Sequence, residues 1–360
     1  MMSILITLMT FLLFLSAVGT AAEPGSVLSV EYKHVKSGHT WKDAQEFCRK
    51  NFLDLATIYN QGHANNLYLL EYEAWIGLHR GTSNTWEWID GGDYNIDWAS
   101  NEESNDGEMC AVLGYHYYYY RKIYSRDCEM KSFAACQIIT SSSTTITQKM
   151  MSWSEAKDHC MSISQKLATF TMDGMKLFSK HDFPIWIGLH RHDGSWKWSL
   201  GLKEDKYWNL GPSDNKDCVS ITSATKSLAA ENCQTLHPFI CMNDNLILVK
   251  EEKSWEEAFE HCQGLGFNSN LRFNLLSVKP GDEHNYVVNR ITEADTEEVW
   301  TGLRFLGDEW LWINGKDVLY TDLLQCPPLG SHCGAISKND SSAVAARDCL
   351  ERKNFLCYSY

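Results

Sequence analysis

What this 360-residue chain lacks narrows its reading quickly. No CxxC occurs, so the spacing used by zinc ribbons and thioredoxin-like redox centres is missing. No Lys/Arg run is longer than a pair and the formal net charge is −14, which makes nucleic acid, heparin-like chains and anionic membrane surfaces poor partners. No Ser/His/Asp order, metal-protease helix or phosphate loop stands at a recognised spacing. Nothing places two carboxylates across a cleft for glycoside hydrolysis either, so the chain reads as non-enzymatic. After the first 22 residues no apolar run is long enough to span a bilayer.

What is present starts at the amino terminus. MMSILITLMTFLLFLSAVGTAA carries no charged side chain before Glu23, and Gly19, Ala21 and Ala22 supply small residues at its end. Residues 1–22 read as a secretory signal peptide, with a retained anchor as the alternative. A leader makes the protein secreted and extracellular. Thirteen cysteines in that compartment predict disulfides, and the odd count leaves at least one without an intramolecular partner. Hydrophobic residues make up 44% of the chain, enough for real cores, and the length suits two or three domains.

Twelve of the cysteines repeat in groups: 48, 110, 128, 136; 160, 218, 233, 241; 262, 333, 349, 357. Cys326 is extra. Each group opens on a helix start, Thr40-Trp41-Lys42-Asp43, Ser152-Trp153-Ser154-Glu155 or Ser254-Trp255-Glu256-Glu257, with a hydroxyl three residues before a carboxylate as in a capping box. Trp, Ala and Cys then recur at offsets of three and four (Trp41/Ala44/Cys48, Trp153/Ala156/Cys160, Trp255/Ala258/Cys262), one helix face turned to a core. The segments LATI, LATF and LLSV that follow are expected to begin a second helix. Mid-repeat, Trp75-Ile76-Gly77-Leu78, Trp186-Ile187-Gly188-Leu189 and Trp300-Thr301-Gly302-Leu303 read as strands. The alternating Trp86/Trp88, Trp196/Trp198 and Trp310/Trp312 read as their neighbours, and the last cysteine pair is expected to close a hairpin.

These residues resemble C-type lectin-like domains, three in tandem over residues 27–360, most similar to the units of macrophage mannose receptor-like proteins. The resemblance implies an α+β fold, each unit having two helices, small antiparallel sheets and a long disulfide-stapled loop. The units would span 27–138, 146–243 and 246–360, with SSSTTIT at 141–147 as the first linker and a short junction near Met242–Leu246. The family pairs first cysteine with fourth and second with third. That implies Cys48–Cys136 and Cys110–Cys128, Cys160–Cys241 and Cys218–Cys233, Cys262–Cys357 and Cys333–Cys349. In the chain-entropy view each outer bridge, closing nearly ninety residues, contributes about 4–5 kcal/mol.

Sugar-binding members of the family hold calcium through oxygen ligands in the long loop, and two sugar hydroxyls complete the metal's shell. NEESNDGEMC at 101–110 aligns best: Glu102 and Glu108 take family positions, Ser104 and Asn105 lie in the ligand run, and Asp127 stands near the third cysteine. Glu103 replaces the family's proline, and Ile123, Tyr124 and Ser125 replace its Trp-Asn-Asp, so the loop is either a calcium site or the remnant of one. Lys216 stands where repeat two needs a carboxylate, and repeat three has none between Asp322 and Cys333, so any calcium bound is expected in repeat one only. Trp98 and, within GYHYYYYRKIY, Tyr117 and Tyr119 offer faces that stack on a sugar or on protein. The partners implied are glycans or glycoproteins in innate immune recognition, or a protein ligand bound without calcium. Cys326 would be a free thiol or the bridge of a covalent dimer, and Asn339 begins a glycosylation sequon.

Overall fold

Thr40, Ser152 and Ser254 start helices where their sequence contexts place them, in a computed structural model. It describes residues 15–21, 26–58, 67, 72–82, 84–91, 98–99, 108–116, 120–138, 143–169, 183–200, 216–223, 225–266, 271–323, 325–339 and 343–360. The helices are α1 (Trp41–Asn51), α2 (Trp153–Ser162) and α3 (Trp255–Leu265). Ser152 and Ser254 form complete capping boxes with Glu155 and Glu257. Asp43, one methylene shorter than Glu, accepts from the Thr40 hydroxyl, while that hydroxyl accepts from the Asp43 amide. Ala44 and Cys48, Ala156 and Cys160, and Ala258 and Cys262 are buried, as their spacing requires.

Ahead of the first repeat stands β1 (Leu15–Ala21), and the strands of that repeat are β2 (Val30–His39), β3 (Asp54–Leu55), β4 (Ala74–Arg80), β5 (Trp86–Trp88), β6 (Cys110–His116), β7 (Tyr120–Arg126) and β8 (Phe133–Ile138). The second has β9 (Thr144–Ile146), β10 (Gln165–Leu167), β11 (Pro184–His192), β12 (Ser195–Trp198), β13 (Cys218–Thr222), β14 (Leu228–Glu231) and β15 (His237–Asp244). The third has β16 (Leu246–Lys253), β17 (Phe273–Leu275), β18 (Glu298–Leu306), β19 (Glu309–Trp312), β20 (Cys333–Ser337), β21 (Val344–Arg347) and β22 (Lys353–Ser359), with helix α4 (Asp282–Arg290) between β17 and β18. LATI, LATF and LLSV thus meet short strands, β3, β10 and β17, and do not begin a helix. A second helix is described only in the third repeat; residues 59–66, 68–71 and 170–182, which follow LATI and fall in and after LATF, lie outside the described residues.

Three sheets share one plan. Their orders are β1-β2-β15-β11-β13-β14, β10-β8-β4-β6-β7 and β16-β22-β18-β20-β21, with β3, β5, β9, β12, β17 and β19 paired to their sides. The sheets are mixed and not purely antiparallel, because β4–β8, β11–β15 and β18–β22 run parallel. The last cysteines therefore do not close a hairpin: β7 pairs β6, and β8 crosses to the far side of β4.

The larger departure concerns which helix completes which sheet. In the third repeat the contacts are internal: Trp255 Nε1 donates to the Thr301 carbonyl at 2.8 Å, Trp300 Nε1 to Lys253 at 3.0 Å, and the Gly302 amide to Leu276 at 2.8 Å. The first two repeats make the same bonds with each other. Trp41 Nε1 donates to Ile187, Trp186 Nε1 to His39 and the Gly188 amide to Ala56, at 2.8, 3.1 and 2.9 Å. Reciprocally, Trp153 Nε1 donates to Ile76, Trp75 Nε1 to Met151 and the Gly77 amide to Ala168, at 2.9, 2.8 and 2.9 Å. A Cβ on Gly188 would meet the Leu55 and Ala56 carbonyl oxygens at 3.1 and 3.2 Å, so the glycine permits the incoming segment's close approach.

The cores follow the exchange. Trp41, Ala44, Cys48 and Leu55 pack with Trp186, Phe239 and Cys241, while Ala156, Cys160 and Leu167 pack with Trp75, Val112 and Cys136. The outer bridges of the first two repeats are accordingly Cys48–Cys241 and Cys136–Cys160. This corrects the pairing Cys48–Cys136 and Cys160–Cys241 implied by the resemblance. The other four bridges are Cys110–Cys128, Cys218–Cys233, Cys262–Cys357 and Cys333–Cys349.

Chain path supplies the physical reason. Only 139–143 separate β8 from β9, which pair antiparallel through Ala135↔Ile146, Cys136↔Thr145 and Gln137↔Thr144. A connection of that length closes a hairpin, so three of the seven residues of the expected linker 141–147 are strand, and α2 is delivered onto the first repeat's sheet. Between β15 and β16 stands Asn245 alone. One residue cannot reverse the chain, so β16 pairs β22 of its own repeat. The Asn245 side chain instead bonds the Val27 and Ser359 carbonyls and the Ser29 amide. The chain accordingly divides into two compact units, one holding Tyr32–Ser199 and Lys203–Cys241, the other Thr20–Glu31, Leu200–Leu202 and Met242–Tyr360.

Candidate ligand-binding site

In the first repeat, β6 and β7 form a hairpin pairing Cys110 with Arg126, Ala111 with Ser125 and Val112 with Tyr124. Strand alternation turns Ile123 and Ser125 inward, both fully buried, and leaves Tyr124 and Arg126 half-buried on the other face. Arg126 makes two bonds to Glu73, at 3.0 and 2.7 Å, and its guanidinium lies 5.0 Å from the Tyr124 ring centroid. The third repeat has the same clamp, where Arg347 and Lys353 hold Glu298. Burial raises that carboxyl's pKa, but the hydrogen bonds from Arg347 and Lys353 outweigh it and hold the value below the ordinary range. In the second repeat Pro184 and Glu231 occupy these two positions, and the clamp is missing.

Glu108, two residues before β6, accepts a hydrogen bond from the Ser125 hydroxyl at 2.5 Å. Ser125 occupies the position of the family's Asp, so a neutral donor meets the carboxylate where two carboxylates would face one cation. Asp127, exposed, accepts from the Glu129 amide at 3.0 Å in its own turn. Glu102, Ser104 and Asn105 lie outside the described residues, as do Tyr117 and Tyr119. Among the described residues no group of three acidic, His or Cys side chains is arranged to hold a metal. Glu108, engaged by a hydroxyl, and Asp127 alone do not make up the six to eight oxygens that calcium takes; the other candidate ligands lie outside the described residues.

Trp98 is described, and its surroundings add what sequence spacing did not disclose. It bridges Ile123 in parallel fashion, the adjacent Ala99 amide donates to the Ile123 carbonyl at 2.9 Å, and the indole tilts against Trp86 at 4.7 Å between centroids. Arg80 lies over Trp86 at 5.1 Å. Trp86 is the outward member of its W-x-W pair, half-buried where Trp88 is core, so its exposure was legible but its partner was not. Two half-exposed indoles and a guanidinium thus sit beside the strand carrying Ser125. In the second repeat, His190 packs on Trp41 at 4.6 Å, and burial lowers its pKa. In the third, Cys326 is exposed and unbridged, and exposed Asn339 donates to Glu297 at 3.2 Å.

The family model for the lectin C-type domain matches residues 37–138, 149–243 and 251–359. The chain belongs to the C-type lectin domain family. It is similar to the secretory phospholipase A2 receptor of Bos taurus, at 21% identity over 93% of this chain and 29% of that protein. Similarity extends to human lymphocyte antigen 75 (24% identity, 49% of this chain, 12% of that one) and to C-type mannose receptor 2 of Rattus norvegicus (22%, 52% and 15%). The chain therefore spans less than a third of the length of these relatives. Among solved structures, the C-type lectin CEL-I from Cucumaria echinata matches at 22% identity and a TM-score of 0.29, covering 32% of this chain and 89% of that one. As a C-type lectin-like chain it is a non-enzymatic binding protein with three lectin-like repeats. Among the described residues no helix is long and apolar enough to cross a membrane.

Proposed function

We propose that this chain is a secreted glycan-recognition protein of innate immune type, with the first repeat as its principal contact surface. The half-exposed Trp86–Trp98 pair carries the reading, because indole faces stack on sugar rings and Arg80 and Arg126 edge the same hairpin region. Tyr117 and Tyr119, by residue type, are further candidate contacts in this reading. A glycan array read with calcium and again with chelator tests it. The expected result is binding that survives chelation and is lost in Trp98→Ala; no glycan signal under either condition would sink it.

A second reading, a protein ligand bound on the same face without calcium, is favoured by the Ser125–Glu108 bond that takes the place of a metal bridge. Any calcium bound at all would be held in the first repeat by Glu102 and Glu108, with Ser104, Asn105 and Asp127 around them. Calorimetric titration of the whole chain checks this. Glu102→Gln removes the heat if the assignment is right, and an unchanged heat in the variant contradicts it. Export would follow removal of residues 1–22, which N-terminal sequencing of the exported protein reads directly; a sequence still starting at Met1 would mean a retained anchor.

A further inference from the structure

The three amino-terminal segments of the repeats are interchangeable in their contacts. Trp41, Trp153 and Trp255 each donate through the indole to a mid-strand carbonyl, and each donates its backbone amide to the third cysteine's carbonyl, on Cys233, Cys128 and Cys349 at 3.0, 2.9 and 3.0 Å. Only the third segment spends these bonds on its own repeat. Residues 30–58 complete the body formed by β11–β15, and residues 144–169 complete the body formed by β4–β8. The structural module therefore runs out of phase with the sequence repeat: 72–169 is closed by a short-range bridge of separation 24, and 183–241 is closed by a strap arriving from the other end, through a bridge of separation 193.

We propose that residues 30–58 act as a strap that locks the first two repeats into one inseparable body, so that the chain presents ligands with two bodies and not three. The division into two compact units, the first spanning both exchanged repeats, is consistent with it. Loop entropy does not oppose the arrangement. Closure cost grows only with the logarithm of length, so one long and one short loop cost about as much as two of middling length. What breaks the tie is the β8–β9 hairpin, a local contact that forms before any pairing across many residues. Once it has zipped, Cys160 lies against Cys136, and Cys48 is left with Cys241. A ligand contacting both repeats would then meet surfaces at fixed separation, and the gain would not depend on linker length. The inference holds whether the ligand is a glycan or a protein.

The test uses the whole chain with a protease recognition sequence placed at 139–143. In the exchanged pairing, both Cys48–Cys241 and Cys136–Cys160 span the cut. The cleaved protein is expected to run as one species without reductant and as two fragments with it. Two fragments without reductant would overturn the proposal, because pairing within each repeat leaves no bond across the cut. Peptide mapping of the untouched chain guards against an insertion that disturbs folding. Linked peptides Cys48/Cys241 and Cys136/Cys160 from a molecule of single-chain mass support the strap. Cys48/Cys136 peptides, or Cys48/Cys241 peptides from a molecule whose doubled mass persists in Cys326→Ser, refute it.

Discussion

His34 shows how one buried side chain sets a pH limit. It sits on β2, 1% exposed, stacked on Tyr72 at 6.0 Å, with Nδ1 3.3 Å from the Tyr72 hydroxyl and Nε2 without a hydrogen-bond partner. Burial first, then Lys36 and Lys226, pulls its pKa from 6.5 down to about 3. The unfolded chain takes up this proton below 6.5 and the folded chain does not until about 3. The stability is therefore complete above pH 6.5 and is lost as pH falls toward 3. Between pH 7 and pH 5 the expected loss is about 2 kcal/mol. Urea midpoints at those two pH values should fall in the native protein and change less in His34→Gln; parallel falls would show that another group is responsible. Only packing shows that the ring is sealed from water.

At the scale of an element, helix α2 belongs to one repeat by sequence and to another by packing. Its cap, Ser152, accepts from the Glu155 amide while Glu155 accepts from the Ser152 amide. Removing a cap hydroxyl costs about 1 kcal/mol. Ser152→Ala is therefore expected to loosen β4 of the first repeat, where the Gly77 amide bonds Ala168 and Trp75 Nε1 bonds Met151. Hydrogen exchange should show faster loss of protection at Ile76 and Gly77 than at Ile187 and Gly188. The opposite order would place α2 back on its own repeat. Helix starts, strand positions and the alternation within each W-x-W pair were legible because they depend on neighbours within a few residues. The fate of the LATI, LATF and LLSV segments was not, since a short apolar run suits strand and helix alike until packing selects one.

For the whole molecule, six bridges use twelve cysteines and leave Cys326 exposed. The expected outcome is one alkylatable thiol per denatured, unreduced chain, located at Cys326. A chain of doubled mass with no reactive thiol would instead show the covalent dimer, and Cys326→Ser would return it to single mass. The candidate site was only partly legible at this scale. Glu108 and Trp98 stood out by type and position, but Ser125 as the partner of Glu108, and Trp86 as the partner of Trp98, depend on strand register and on chain returning from outside the hairpin.

Amino-acid order alone determined the number of repeats, their helix caps and their strand cores, because each depends on spacing within one segment; the inner bridges came from the family resemblance. Which helix closes which sheet was decided only in three dimensions. Three segments that make the same hydrogen bonds are degenerate as local sequence. The five residues 139–143 and the single Asn245, acting through whether a hairpin can close, break that degeneracy.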